Sequence, residues 1–301
     1  MRSPLEWVTG EDQVDYCLTH QVVGIGWWAD SISSGSGTKK LNALSRVVES
    51  EWDKRSANTL RRFATEVQPN DFIWTRDTNG NYRLGKFLDA PWEYLNRKEH
   101  PEAAAVDLQQ QRKVKWLKHE FSPSEVPGAV IRNFVGRTTS FQRIRSDDAR
   151  DYTSKFLWPK YSGGKVRSFA IPHEIVLSEH LDMYEVEDLV FIWLQAISGY
   201  MILPTSRQHG TPVFEWEMVD AKTGFSAHPQ VKTGESSIDW GDLSAAARNP
   251  KDKIFAFQSH GRYVGKRPRN GVEISPKELI TFATSKQGRK LLPERITNWF
   301  R

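Results

Sequence analysis

Two hydrophobic periods alternate along this chain, and the places where they switch divide it. Residues 41–66, LNALSRVVESEWDKRSANTLRRFATE, carry apolar and charged positions at helical spacing and predict helix. The Gly/Ser-rich stretch 31–40, SISSGSGTKK, predicts a loop ahead of it. FIWTR (72–76), the turn DTNGN and YRLGKFL (82–88) read as a β-hairpin, and RKVKWL (112–117) as a further strand. VVGIGWWAD (22–30) is an apolar strand running into two tryptophans. Residues 1–145 therefore predict a small, mostly β domain. Residues 146–175 are polar and broken by Pro and Gly, which predicts a linker.

The period changes again from residue 178. SEHLDMYEVEDLVFIWLQAISGY places apolar residues at 181, 186, 189, 190, 193, 194 and 197, one face of a helix that Gly199 should stop. YMILP, PVFEWEMVD, SAHPQVKTG and KIFAFQSHGRYVG read as strands, and SPKELITFATSKQGRKLL as a capped helix starting at Ser275 or Pro276. Residues 176–301 thus predict the order α-β-β-β-loop-β-α.

The hairpin around AKTGF concentrates the candidate chemistry. If Lys222 pairs with Phe225, Glu217 faces Gln230 and Glu215 faces Lys232; a slipped register sets Glu215 opposite Gln230. Either way Glu215, Glu217, His228, Gln230 and Lys232 share a face, while Phe214, Trp216, Met218 and Val231 fill the other. Two acids and an amide are oxygen donors of the kind a hard divalent cation takes. A lysine beside them is placed to handle a proton or to neutralise phosphate charge.

Composition narrows the classes without choosing among them. The chain has 301 residues, 38% apolar and 26% charged, a globular composition with room for two domains. Its net charge of +5 permits a polyanionic partner. A single cysteine, Cys17, excludes an internal disulfide and a multi-cysteine metal site. No apolar run has the length of a membrane span and the N-terminus lacks a signal-peptide core, so the expected location is cytoplasmic. Twelve tryptophans are enough to furnish an aromatic pocket as well as a core.

From residue 176 to the C-terminus the chain resembles the PD-(D/E)XK nuclease superfamily, in particular its Mrr-like branch, which carries Gln-X-Lys. Gln230-Val231-Lys232 matches that motif, and Glu215 stands at the upstream acid, with Glu217 the alternative. This sequence has Glu where the superfamily has Asp. The helix EDLVFIWLQAISGY resembles the branch's first helix, which implies a further acid at Glu187. The resemblance implies a Mg2+ ion, replaceable by Mn2+, held by Glu215, Gln230 and Glu187, with Lys232 as the catalytic lysine.

Residues 20–145 resemble the EVE domain of the PUA-like superfamily. The GIGW strand, the Asn70-Asp71-Phe72 segment, the strand leading to an aromatic stretch and RKVKW follow in the same order, with Asn70 where that family has Gly. The resemblance implies a mixed β-barrel whose pocket receives a flipped, modified base. Each stacking aromatic adds about 1–3 kcal/mol, whereas burying one methyl group adds only about 1 kcal/mol. Shape and hydrogen bonds must therefore do much of the discriminating. Trp27, Trp28, Trp74 and Trp92 are the cage candidates, and Asp107 a candidate acceptor for a base edge. Arg262, Lys266, Arg267 and Arg269, in the loop GRYVGKRPRNG, are candidate contacts to the DNA backbone.

Together these resemblances imply an α+β reader domain (1–145), a linker (146–175) and an α/β nuclease domain (176–301). The expected activity is that of a type IV restriction enzyme, a Mg2+-dependent endonuclease acting on DNA with modified cytosines. A homodimer is expected, since one catalytic domain cuts one strand. Two alternatives stay open: a modified-nucleic-acid binder with a degenerate nuclease fold, and a nuclease acting on RNA.

Overall fold

The computed structural model describes residues 10–134, 141–166, 171–203, 214, 216–247 and 249–300. The chain is mixed α/β and divides into two compact units, Met1–Val126 with Asn133–Phe169, and Pro127–Arg132 with Ala170–Arg301.

The first unit is a curled, half-barrel antiparallel sheet with helices packed on it. Its helices are α1 (Gly10–His20), α2 (Thr38–Glu51), α3 (Lys54–Thr65) and α4 (Pro101–Ala105). Its strands are β1 (Val22–Ile25), β2 (Phe72–Arg76), β3 (Tyr82–Phe87), β4 (Glu93–Tyr94) and β5 (Gln110–Trp116). The order is β1-β5-β3-β2, with β4 also on β5. The expected hairpin forms, with Phe72 opposite Lys86 and Arg76 opposite Tyr82. β3 and β4 share one edge of β5, first through Phe87–Val114 and then through Glu93–Gln111, with Asp89–Trp92 looped out between them.

The helical stretch expected over 41–66 forms, as two helices, α2 and α3. Trp52 leaves the helical region, and Asp53 Oδ1 accepts the Ser56 N–H at 2.6 Å, an N-cap that starts α3 afresh. Both helices press Leu44, Val48, Leu60 and Phe63 into the core beside Val114 and Trp116. Gly85 lies in this core because a Cβ there would sit 2.4 Å from Val114 Cγ1 and 2.7 Å from the Trp116 ring.

The stretch expected as a linker is helical over α6 (Asp147–Tyr152), a π-turn at Thr153–Leu157 and α7 (Trp158–Ser162). Pro159 supplies the reason for the π-turn: it has no N–H for a regular i→i−4 bond, so the helix widens just ahead of it. Trp158 packs on Phe72 at 5.4 Å between centroids, and Tyr161 stacks on His119 at 3.8 Å. Tyr161 also donates to Glu125 Oε1 at 3.0 Å, and the same oxygen lies 3.1 Å from His119 Nε2.

The second unit is a five-stranded mixed sheet, ordered β12-β10-β8-β7-β6. Its strands are β6 (Tyr200–Ile202), β7 (Met218–Asp220), β8 (Ser226–Lys232), β10 (Lys253–Gln258) and β12 (Gly271–Glu273), with β9 (Ile238–Asp239) and β11 (Tyr263–Val264) pairing apart from them. Its main helices are α9 (Met183–Ser198), α10 (Trp240–Ala246), α11 (Pro276–Thr284) and α12 (Lys286–Leu291). Short helices α5 (Gly128–Ile131), α8 (His173–Ile175) and α13 (Glu294–Thr297) complete it. β6, β7 and β8 run antiparallel in sequence; β10 then lies parallel to β8, and α10 occupies the crossover expected as a loop.

α9 opens on a capping box in which Asp182 and Glu185 exchange hydrogen bonds of 2.8 and 2.9 Å. It ends at Gly199, whose φ of 72° is the left-handed cap expected there. The apolar face holds from Leu181 to Leu194 but not at Ile197, which is 56% exposed.

β7 is shorter than the strand expected over 212–220, and Pro229 accounts for that. Asp220 N–H bonds Phe225 O at 2.9 Å and Met218 pairs with Ala227, so residues 225, 227 and 229 turn their peptide groups towards β7. The next N–H on that edge belongs to position 229, and proline has none. Pairing stops at Ala227, while β8 stays paired with β10 up to Lys232.

Gly85→Ala should lower stability by about 1–3 kcal/mol through overpacking. Thermal unfolding checks this; a melting temperature equal to wild type would show that Val114 and Trp116 make room without cost.

Candidate functional site

In the first unit, the segment after β1 is held from below by polar side chains. Gln110, buried at the start of β5, accepts from Trp92 Nε1 at 3.2 Å and donates to Trp27 O at 2.7 Å. Tyr94 Oη bonds both Ala29 N and Ala29 O at 3.0 Å, and Asn96 Nδ2 donates to Ile32 O at 2.7 Å. Trp27 adopts φ 73° and Asp107 φ 54°, both rare for residues with a side chain. Asp107 is buried beside Gly26, where a Cβ would come within 2.5 Å of Oδ1. A buried carboxylate is therefore seated under a strained tryptophan-bearing turn, and the glycine makes room for it.

The four tryptophans do not form one cage. Trp92 is buried in the core, and Trp27 and Trp28 pack against that core while half-exposed. Trp28 is engaged by the edge of Trp52 at 5.5 Å and by the Arg97 guanidinium at 5.4 Å. Trp74 is on the other face of the sheet: its neighbour Ile73 packs on the core, whereas Trp74 meets Phe121 edge-on at 5.2 Å. Gln110, Tyr94 and Asn96 escaped the sequence reading. The one available signal was the run Gln109-Gln110-Gln111, polar residues where a buried strand begins.

In the second unit, the slipped hairpin register is the one adopted, with Met218 opposite Ala227 and Val219 opposite Ser226. Glu215 lies outside the described residues. Gln230 is 4% exposed, in register with Ala256, and Lys232 pairs with Gln258 at the C-terminal end of the parallel pair. The face carrying His228 and Gln230 is not purely polar. Ile254 and Ala256 on it pack with Trp240, Leu243 and Phe214. Phe214, expected on the opposite face from His228, stacks on it at 4.7 Å, whereas Trp216 meets Phe191 of α9 at 4.8 Å. His228 Nε2 lies 3.5 Å from Asp252 Oδ2. Glu217 accepts from Ser226 Oγ at 3.1 Å.

Glu187 is a buried residue of α9. Two residues earlier Glu185 is buried too, and that burial, reinforced by the nearby Asp182 charge, pushes its pKa up to about 8. Arg295 ion-pairs with Asp188 and lies 4.0 Å from Glu185. Mg2+ takes oxygen ligands, and the described residues offer Gln230, Glu187 and Glu217. Among the described residues, no three His, Cys, Asp or Glu side chains converge on a point. These donors alone do not make a Mg2+ site.

Arg262, Lys266, Arg267 and Arg269 are all exposed, and none forms an ion pair among the described residues. Their loop is anchored by β11 on β9 and by the stack of Tyr263 on Trp240 at 5.8 Å. Among the described residues, no helix is long and apolar enough to cross a membrane.

Residues 5–138 match the model of a family described as a domain of unknown function (DUF8426). That match ends before the sheet that carries Gln230 and Lys232. No curated protein and no solved structure matches the chain.

The raised pKa of Glu185 gives a signed pH dependence. Between 4.5, its ordinary value, and about 8, the folded chain keeps a proton that the unfolded chain has lost. Stability attributable to this group therefore falls as pH rises through that window and levels off above it. Glu185→Gln keeps the capping geometry and should remove the fall, so its advantage over wild type should grow from acid to pH 8. Urea unfolding across the window tests this, and parallel profiles for the two proteins would refute it.

Proposed function

We propose that this chain is a modification-dependent DNA endonuclease, in which the first unit reads a modified base and the second hydrolyses a phosphodiester. The observation that carries the reading is the connectivity of the second unit. A helix, three antiparallel strands, a crossover helix and a strand parallel to the third is the order of the PD-(D/E)XK core, and Gln230 and Lys232 stand on that third strand. Pro229 ends the pairing of β8 with β7 next to these residues. Parallel strands bind ligands at their C-terminal ends, where Lys232 lies.

In this reading the Lys232 ammonium neutralises charge on the phosphate or moves a proton at the attacked phosphorus. Mg2+, or Mn2+ in its place, is the cofactor, and Glu215 the upstream acid. In the first unit, Trp27 provides a half-exposed aromatic face and Asp107 a carboxylate for the base edge. The exposed cations at 262, 266, 267 and 269 follow the backbone without reading sequence. Two copies would cut both strands.

The deciding experiment is digestion of otherwise identical DNAs carrying cytosine, 5-methylcytosine, 5-hydroxymethylcytosine or its glucosylated form, with and without Mg2+. Cleavage should need both the metal and a modified base. Binding of modified DNA with no cleavage under any metal would make the protein a reader only, and preferential cutting of RNA would replace the substrate.

Lys232→Ala should slow cleavage by about 10²–10⁴-fold, the range for losing a group that handles a proton, and leave DNA affinity within about twofold. Single-turnover cleavage and equilibrium binding test this together. A variant that cuts at the wild-type rate would remove Lys232 from the site.

A further inference from the structure

α3 carries Lys54, Arg55, Arg61 and Arg62 and no acid from Lys54 to Thr65. Lys54, Arg55 and Arg62, with Asn58, Thr59 and Phe141, line a groove of about 420 Å³ on the outer side of this helix. Phe141 is fixed there by an edge contact with the core residue Phe63 at 5.5 Å. The chain continues from Phe141 into Arg143 and Arg145, both exposed. Among the described residues, Lys54, Arg55, Arg143 and Arg145 have no ion-pair partner, while Arg62 pairs with Glu66 at 3.1 Å and Arg61 with Glu49 at 3.5 Å.

At the N-terminal end of α3 this charge does not serve the helix itself. Lys54 and Arg55 occupy the first turn of α3, where the helix dipole disfavours cations by about 0.3–1 kcal/mol each. The acid at that end, Asp53, is engaged as the N-cap. With Asp53 near Arg55 and Glu66 paired to Arg62, the three cations lining the groove still outnumber these two acids and leave a net positive charge. Its extent indicates the kind of anion it suits. Seven residues of helix separate Lys54 from Arg61 and Arg55 from Arg62, a rise of about 10 Å, further than one phosphate group reaches. A row of phosphates meets that spacing, and the Phe141 ring offers an apolar wall for the sugars between them.

We propose that the α3 groove is a backbone-binding track for duplex DNA, separate from the cations at 262–269. The proposal rests on the DNA-binding part of the reading above and not on cleavage. It places sequence-independent affinity on the unit that carries the candidate base pocket, so that the unit holds a duplex while bases are sampled.

The test is the salt dependence of binding by the full-length chain to an unmodified duplex, followed by fluorescence anisotropy from about 50 to about 300 mM salt. Lys54→Gln/Arg55→Gln/Arg62→Gln should flatten the slope of log K against log salt by about 2.7, at roughly 0.9 per lost contact. Affinity at about 0.1 M salt should fall by about a hundredfold or more. Lys113→Gln/Lys115→Gln/Lys118→Gln removes the same charge from exposed positions on and just after β5 and should change the slope by less than one contact. If circular dichroism shows the triple variant misfolded, Lys54→Gln alone decides, through a change of about 0.9. A groove variant with the wild-type slope, a control variant with an equal loss, or displacement of DNA by polyglutamate as effective as by duplex would each overturn the proposal. Wild-type protein that binds no duplex would overturn the DNA reading as well.

Discussion

A missing amide hydrogen organises the second unit. Pro229 lies mid-strand in β8, turned towards β7, and cannot continue the antiparallel ladder beyond Ala227. The other edge of β8 is unaffected, so β10 runs parallel along it as far as Lys232. Parallel pairing needs a crossover, which α10 provides, and α10 covers one sheet face with Trp240 and Leu243. Gln230 is buried as a consequence, because it shares that face with Ala256. The same proline leaves Phe214, Trp216 and Glu217 outside strand geometry. There Phe214 stacks on His228 while Trp216 packs on α9.

The first unit solves a different problem with β5. One strand serves β1 on one side and both β3 and β4 on the other, so it curls. Its first residues are glutamines rather than aliphatics. Gln110 spends both ends of its amide, on the Trp92 indole and the Trp27 carbonyl. A buried amide satisfied at both ends fixes geometry more sharply than an apolar residue could. The strained φ of Trp27 persists because Gln110 and Tyr94 hold the turn on either side of it. Arg112, further along β5, donates to Ala64 O and Val67 O at the end of α3, so the strand also positions that helix.

Much of this was legible in the sequence wherever one period ran unbroken. FIWTR and YRLGKF, joined by the DTNGN turn, pair as the expected hairpin. The apolar face of α9 and its stop at Gly199 followed from spacing and from the one residue that takes φ 72° without strain. The failures share a cause, which is a local group overriding a period. Asp53 caps a new helix inside a continuous helical pattern. Pro229 ends a ladder whose alternation runs on through 214–217. Pro159 sits within a polar stretch that nevertheless folds as helix, because Trp158 and Tyr161 have aromatic partners distant in sequence. The tryptophans could be counted but not assigned to faces: Trp74 and Trp92 are separated by the sheet, and only the pairing of β2 with β3 reveals it. Of the candidate nuclease residues, the sequence placed Gln230 and Lys232 on one strand face, which the register with Ala256 and Gln258 matches. It did not foresee how much aliphatic surface shares that face.

The division of the chain has a consequence for its synthesis. α5 belongs to the second unit: Gly128 lies so close to Leu181 O that a Cβ would be 2.2 Å away, and Arg132 Nη2 donates to Ser178 O at 3.0 Å. Yet α5 precedes Trp158 and Tyr161, which complete the first unit. The two folding units are thus interleaved along the chain. On the ribosome the first cannot finish when its sheet emerges, and the second has its opening piece waiting about fifty residues for a bed, a delay of several seconds at roughly 5–20 residues per second. No single cut yields both units whole, and insertion of a foreign segment between residues 126 and 133 would burden both at once.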